Sequence, residues 1–391
     1  MMQKTKTYVS DTVSRLQPSG IRRFFDLAAS MEGVISLGVG EPDFITPWSV
    51  REACILSLEQ GYTSYTANAG LWELRKEISD YLARRFEVLY DPANEIIVTV
   101  GASQALDVSL RAILNPGDEV IVVEPSFVSY APLVSLAGGV PIPIQTSGKH
   151  QFKLQPEQIE QVVTPKTKAL IICSPNNPTG TVLNREELVQ IARIVAKHDL
   201  LVISDEIYAE LCYDEQYTSF PAIAHMRERT ILINGFSKGF AMTGWRLGFI
   251  AAPKDLAMAM LKIHQYTMMC APTMAQYAAI EALRNGAGDV EQNEKKKVTD
   301  NGATFFVQSL NEIGLSCHMP GGAFYAFPSI QSTGMTSEQF AERLLLEEKV
   351  AVVPGYVFGA SGEGYIRCSY ASSLEQLQEA IRRMRRFLER L

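Results

Sequence analysis

Short apolar runs alternate with longer amphipathic stretches through the middle of this chain, the rhythm of a mostly parallel sheet whose strands are joined by covering helices. The predicted strands are Ile96–Val100, Val120–Val123, Ala169–Cys173, Leu201–Ser204, Thr230–Ile233 and Leu247–Ala251. Between them, a Gly-Ala-Ser turn opens a predicted helix over Ala102–Leu114. In Arg185–His198 the apolar Leu188, Ile191, Ala192 and Val195 fall at i, i+3, i+4 and i+7, one face of a helix. Thr46-Pro47, a cap followed by a first-turn proline, predicts a helix over Trp48–Gln60, and a second begins near Leu71. Upstream of Thr46 the pattern is irregular. Beyond about residue 290 a charged helical stretch leads into short strands at Ala323–Phe327, Val350–Val353 and Tyr365–Cys368, then a closing helix over Leu374–Leu391. Strands following helices predict a smaller α+β lobe beside the α/β one. No repeat, low-complexity tract or Pro/Gly-rich linker interrupts the chain, so the two lobes are expected to pack closely.

The chain has 391 residues, 47% of them hydrophobic and 20% charged, which excludes disorder, fibres and disulfide miniproteins. That length suits about two to three domains. The net charge of −7 comes from interspersed acids and bases. The one basic cluster, Arg382 to Arg390, alternates with Ile381, Met384, Phe387 and Leu388 and reads as a solvated helix face. The six cysteines include no CxxC pair, so neither a metal site nor a disulfide framework is expected, and they read as reduced thiols. No signal-peptide core and no apolar run of about 18 residues is present, so a cytoplasmic protein is expected.

The segment Ser237-Lys238-Gly239-Phe240-Ala241-Met242-Thr243-Gly244-Trp245-Arg246-Leu247-Gly248 carries the most chemistry. A lysine among small and apolar residues is poorly solvated, which favours the neutral amine that attacks a carbonyl to form a Schiff base. Arg246 supplies a permanent cation suited to a phosphate. Asp205 ends a buried strand, where open α/β sheets bind ligands, and its carboxylate there can meet a ligand or simply cap the next helix. Gly101-Ala102-Ser103 stands between a strand and an apolar helix, so its free N–H groups form an anion site, with Ser103 also a possible N-cap. Arg367, in Tyr365-Ile366-Arg367-Cys368-Ser369, shares a strand face with Tyr365 and Ser369, and a buried arginine requires an anion, from a substrate or a structural salt bridge.

The lysine segment resembles the active-site segment of fold-type I pyridoxal-phosphate enzymes, specifically the class I/II aminotransferases. The other motifs follow in that family's order: Gly40-Glu41-Pro42-Asp43, Tyr62-Thr63-Ser64-Tyr65 leading to Gly70 and Leu74-Arg75, Gly101-Ala102-Ser103, Ser174-Pro175-Asn176-Asn177-Pro178-Thr179-Gly180, Asp205-Glu206-Ile207-Tyr208, and Arg367. The resemblance implies an α/β fold, with a large domain built on a mostly parallel central sheet flanked by helices plus a smaller α+β domain. It implies that Lys238 holds pyridoxal 5′-phosphate as a Schiff base and that Asp205 meets the ring nitrogen. Tyr208 and Asn177 would bond the ring's 3′ oxygen, and Phe127 would stack on the ring. Ala102, Ser103, Ser237 and Arg246 would hold the phosphate, with Tyr65 reaching the phosphate of a neighbouring subunit. Arg367 would grip the substrate carboxylate beside the backbone of Gly40, with Asn177 nearby.

The expected organisation is an N-terminal segment, 1–48, contributing to the small domain and the site entrance, a large cofactor-binding domain, 49–289, and a C-terminal small domain, 290–391. The implied reaction is a ping-pong transfer of an amino group from an L-amino acid, alanine or aspartate favoured and aromatic ones possible, to a 2-oxo acid such as 2-oxoglutarate. Leu16 to Phe25, with Ser19-Gly20-Ile21-Arg22-Arg23-Phe24, is expected to line the entrance, where Arg22 or Arg23 could meet a distal carboxylate. A homodimer with shared sites is expected, without nucleic-acid or membrane partners. A β-eliminating C–S lyase would use almost the same residues, and a non-catalytic cofactor-sensing regulator is the remaining alternative.

Overall fold

The computed structural model describes residues 8–391 apart from 19, 30, 43, 214–216 and 285–300. Ser19, Asp43 and the 289/290 boundary expected above therefore lie outside the described residues, as do the first residues of the charged stretch. The strands are β1 (Ile35–Ser36), β2 (Ile96–Thr99), β3 (Glu119–Glu124), β4 (Val140–Gln145), β5 (Thr167–Cys173), β6 (Leu201–Asp205), β7 (Thr230–Gly235), β8 (Gly248–Ala251), β9 (Tyr325–Ala326), β10 (Val350–Ala351), β11 (Val353–Pro354) and β12 (Ile366–Ser369).

Seven of them form one sheet in the order β2-β8-β7-β6-β5-β3-β4. The neighbours from β4 to β7 run parallel, and β8 lies antiparallel to both β7 and β2. The central strands are apolar on both faces because helices cover both. Ile97, Ile203, Ile231, Ile233 and Ile250 pack under the helices Gly101–Ile113 and Lys254–Thr267. On the opposite face Val98, Leu232 and Phe249 meet the helices Trp72–Phe86 and Thr273–Arg284, while Ile172 and Val202 meet Arg185–Lys197. The expected α/β architecture with a mostly parallel sheet is thus present, from strands whose ends differ from expectation by a few residues.

The second lobe contains a sheet in the order β11-β12-β9, all antiparallel, and the parallel pair β1 and β10. Residues 301–312 are helical and, with the helices Ser337–Glu348 and Leu374–Leu388, bury a core of Phe306, Leu310, Phe324, Phe340, Leu344, Met384 and Phe387. The C-terminal arginines are only partly a solvated face, because Arg386 and Arg390 bond the buried Glu348 carboxylate.

Several local expectations are corrected. The N-terminal stretch is not irregular: Asp11–Arg15 and Gly20–Ala29 are helices, the first capped by Ser10, the second burying Phe24, and β1 pairs with β10. Thr46 does not cap the helix Trp48–Glu59; Pro47 occupies that position without a side-chain bond. Instead Thr46 Oγ1 donates to the Ala241 carbonyl at 2.6 Å and accepts from Trp245 Nε1 at 3.0 Å, tying this helix start to the lysine segment. The expected strand Val350–Val353 divides between two sheets at Val352. The expected strand Ala323–Phe327 shrinks to β9, since Ala323 sits at φ 59°, a left-handed conformation no strand accepts. Strand β4 has no counterpart in the sequence reading, since its prolines, Pro141 and Pro143, argue against a strand. Among the described residues it is an edge strand paired with β3 alone, where a missing N–H is tolerated. Among the described residues no helix is long and apolar enough to cross a membrane.

Candidate active site

The carboxyl ends of the parallel strands deliver the site. Asp205 is the last residue of β6 and pairs in register with Cys173 at the end of β5 and Ile233 in β7. The lysine segment is the connection between β7 and β8, whose ends are in register at Gly235 and Gly248. The helix Gly101–Ile113 begins directly after β2, and Arg367 reaches in from β12 of the second lobe. A cavity of about 390 Å³ opens where these meet, lined by Gly40, Ala102, Ser103, Phe127, Asn177, Asp205, Tyr208, Ser237, Lys238, Arg246 and Arg367. Every residue singled out from sequence for the chemistry is there except Tyr65, which lies outside it and is 81% exposed. Tyr65 is therefore a surface aromatic rather than part of the core.

Lys238 is half-buried, and its Nζ donates to the Gly40 carbonyl at 2.5 Å. Burial, with help from the cations Arg367 and Arg246, pulls its ammonium pKa down to about 8, against the opposing pull of Glu41 and Asp205. Asp205 is buried, which pushes its carboxyl above the usual range. The Tyr130 hydroxyl, which donates to Oδ2 at 2.6 Å, and the Ile207 N–H, at 3.3 Å from Oδ1, oppose that rise. Asp205 also does not cap a continuing α-helix, because the chain turns there into the short 3-10 turn Ala209–Leu211.

Arg367 is buried, donates from Nη1 to Asn177 Oδ1 at 2.9 Å and from Nη2 to the Gly38 carbonyl at 2.6 Å, and its Nε has no partner among the described residues. Among the described residues no carboxylate stands within ion-pair distance of it, so its structural salt-bridge alternative has no counterion there. Its cation is held by neutral acceptors and faces the cavity, a pattern that suits an incoming anion.

At the head of the helix Gly101–Ile113 the N-cap is Val100, whose N–H donates to Gln104 Oε1 at 2.7 Å. Ser103 is therefore in the first turn rather than at the cap position expected for it. Two glycines clear the space around this helix start: a Cβ at Gly101 would lie 2.7 Å from Arg246 Nη2, and one at Gly248 would lie 2.7 Å from the Ala102 nitrogen. The Arg246 guanidinium and the first N–H groups of the helix thus converge, the arrangement an anion requires.

Sequence reasoning missed Tyr130 and Tyr325, which both line the cavity. Tyr130 also sets its ring edge-on to Phe127 at 5.7 Å. Tyr325 places its hydroxyl 2.9 Å from that of Tyr208. The only signal for Tyr130 is its place three residues after Phe127, and Tyr325 sits in an apolar run that reads as core. Of the expected entrance segment, Ile21 lines the cavity beside Val39; the Arg22 and Arg23 side chains lie outside the described residues. Among the described residues no cluster of His, Cys, Asp and Glu could hold a metal ion.

The sequence and the fold both have counterparts among known proteins. The family model for aminotransferase class I and II matches residues 32–384. YugH of Bacillus subtilis (strain 168) is 67% identical over 98% of this chain and 99% of its own. An aspartate aminotransferase of Pyrococcus abyssi is 48% identical over 97% of this chain and 98% of its own. The crystal structure of an aromatic aminotransferase from Pyrococcus horikoshii superposes with a TM-score of 0.90 at 46% identity, covering 95% of this chain and 99% of that one.

Proposed function

The chain belongs to the class I and II aminotransferases, pyridoxal-phosphate-dependent enzymes, and from that premise we propose that it moves the amino group of an L-amino acid to a 2-oxo acid in two alternating half-reactions. Alanine or aspartate are the favoured donors, aromatic amino acids are possible, and 2-oxoglutarate is the proposed acceptor. The observation that carries this reading is the meeting of Lys238, Asp205 and Arg367 in one cavity.

The donor set fits the cofactor. The cavity offers a half-buried amine with a depressed pKa, a buried carboxylate, and an anion cradle that a Cβ at Gly101 or Gly248 would fill. In this reading Lys238 anchors the cofactor's aldehyde carbon, and Asp205 holds the proton on the ring nitrogen. Tyr208 and Asn177 hold the ring oxygen, and Phe127 covers a ring face. Ala102, Ser103, Ser237 and Arg246 hold the phosphate. When bound, pyridoxal phosphate supplies an electron-withdrawing ring that accepts the electrons released as the substrate's Cα–H bond breaks. Arg367 binds the substrate carboxylate through the free edge of its guanidinium, with the Gly40 backbone alongside. Lys238 Nζ, once freed for the purpose, would take the proton from the substrate's Cα and deliver it to the acceptor carbon instead of back to Cα.

Side-chain selection falls to the open end of the cavity, where Ile21 and Val39 present apolar surface that suits alanine and aromatic donors. Relatives named for aspartate and for aromatic amino acids, at 48% and 44% identity, support the wider range. A homodimer completed by Tyr65 is part of the proposal. It is supported by the exposure of two large aromatic side chains, Tyr65 and Tyr266, at 81% and 87%. The free cysteines suit a reducing compartment such as the cytoplasm. No observation favours the C–S lyase or the non-catalytic regulator.

The test is the visible absorption of the loaded protein with L-alanine, L-aspartate and L-phenylalanine in turn, alongside Lys238→Ala. A band that moves to the pyridoxamine position with one donor supports the reading and ranks the donors. A band identical in Lys238→Ala ends it.

A further inference from the structure

The cavity joins parts of both lobes, and Tyr325 bridges them. It sits on β9, in register with Ser369 of β12, the strand that carries Arg367. Its side chain is 1% exposed. The Arg367 guanidinium lies over its ring, 4.5 Å from the centroid. Its hydroxyl crosses to the other lobe and meets the Tyr208 hydroxyl at 2.9 Å, with the rings edge-on at 78°. No other hydrogen bond engages the Tyr208 hydroxyl among the described residues, and both rings are buried.

Each phenol carries one proton and can both donate and accept. With the Tyr208 proton directed at an acceptor in the cavity, the Tyr208 oxygen receives the Tyr325 proton, and the two form a chain in one direction. A donated proton strengthens the next donation, because each bond polarises its neighbour. The cation over the Tyr325 ring draws electron density from its hydroxyl and makes that hydroxyl the better donor.

We propose that Tyr325 is a positioning residue that aims the Tyr208 proton at the cofactor's ring oxygen and strengthens its donation. This rests on the reading of Tyr208 given above. Tyr325 touches no reacting atom in this scheme and acts only through Tyr208.

The experiment is a double-mutant cycle on the loaded enzyme, read as the pH midpoint of the visible band rather than as turnover. Tyr208 stabilises the deprotonated, absorbing form by bonding its oxyanion, so Tyr208→Phe raises the midpoint by about one to two units. Tyr325→Phe removes a single hydroxyl and keeps the ring under Arg367. It is expected to raise the midpoint by about a few tenths of a unit. In the double variant the Tyr325 change adds nothing to Tyr208→Phe, because its effect passes through the missing phenol. A Tyr208→Phe midpoint equal to the parent overturns the assignment of Tyr208 itself. A Tyr208 effect with no Tyr325 effect, or with a Tyr325 effect that adds in full in the double variant, overturns the role proposed for Tyr325 alone.

Discussion

The hydroxyl of Tyr130 donates to Asp205 Oδ2 at 2.6 Å, both residues being buried at the end of the sheet. Burial alone would push Asp205 toward its neutral form, and a neutral acid cannot hold a pyridinium. Tyr130→Phe keeps the edge-on contact with Phe127 and removes only the proton donor. A hydrogen bond to a charged group is worth about 1.5–3 kcal/mol, so the affinity of the apoprotein for pyridoxal phosphate is expected to fall about tenfold or more. Fluorescence titration of the apoprotein measures it, and unchanged affinity refutes the role.

Lys238 gives a pH dependence of definite sign. Its amine has a pKa of about 8, so only a fraction is neutral below that pH and nearly all of it above. The rate at which apoprotein captures pyridoxal phosphate is expected to climb about tenfold per unit below pH 8 and to flatten above it. Stopped-flow absorbance follows this directly; a flat profile from pH 6 to 9 contradicts it.

Glu206 is 1% exposed and accepts from Ser204 Oγ at 2.9 Å, Ser219 Oγ at 2.7 Å and the Phe220 N–H at 3.0 Å. Burial nonetheless pushes its carboxyl up to about 7. Between its ordinary 4.5 and 7 the folded chain therefore holds a proton that the unfolded chain lacks, so the contribution of this group to stability falls as pH rises through that window. Glu206→Gln is expected to flatten this dependence, gaining on the parent from pH 5 to pH 8 in urea titrations. Glu206→Ala leaves its donors unpaired and costs about 3 kcal/mol at pH 5, and less at pH 8, where the parent has itself lost the contribution of this group.

Thr46 links two segments far apart in the chain through its bonds to Ala241 and Trp245. Thr46→Val keeps the shape and loses both bonds. A loss of about 1–3 kcal/mol in stability is expected, with the lysine segment exchanging amide protons faster than the sheet below it. Hydrogen-exchange mass spectrometry checks both halves of that statement.

The legible part of this protein was what local chemistry writes into short stretches. The buried strands β5, β6 and β7 announce themselves because they are apolar on both faces, and Asp205 is conspicuous for ending one of them. Lys238 and Arg246 stood out as charges in a small-residue segment. Strand β4 was hidden because its prolines obey an edge rule that depends on which strand it lacks as a neighbour. Thr46 looked like a cap because its partner, Ala241, is remote in sequence. Tyr325 was illegible for the same reason: a tyrosine among apolar residues is ordinary core until the fold sets Tyr208 and Arg367 around it.

Gly40 and Tyr325 occupy one volume between them. A Cβ at position 40 would stand 2.5 Å from the Tyr325 hydroxyl but 3.4 Å and 3.6 Å from the nearest ring carbons. The clash is thus with a single oxygen, and Tyr325→Phe removes it. Alanine at 40 is therefore expected to cost less beside phenylalanine at 325 than beside tyrosine, so the two substitutions are coupled. The hydroxyl that reaches Tyr208 thus fills the room a side chain at position 40 would need, and the two positions share one steric allowance.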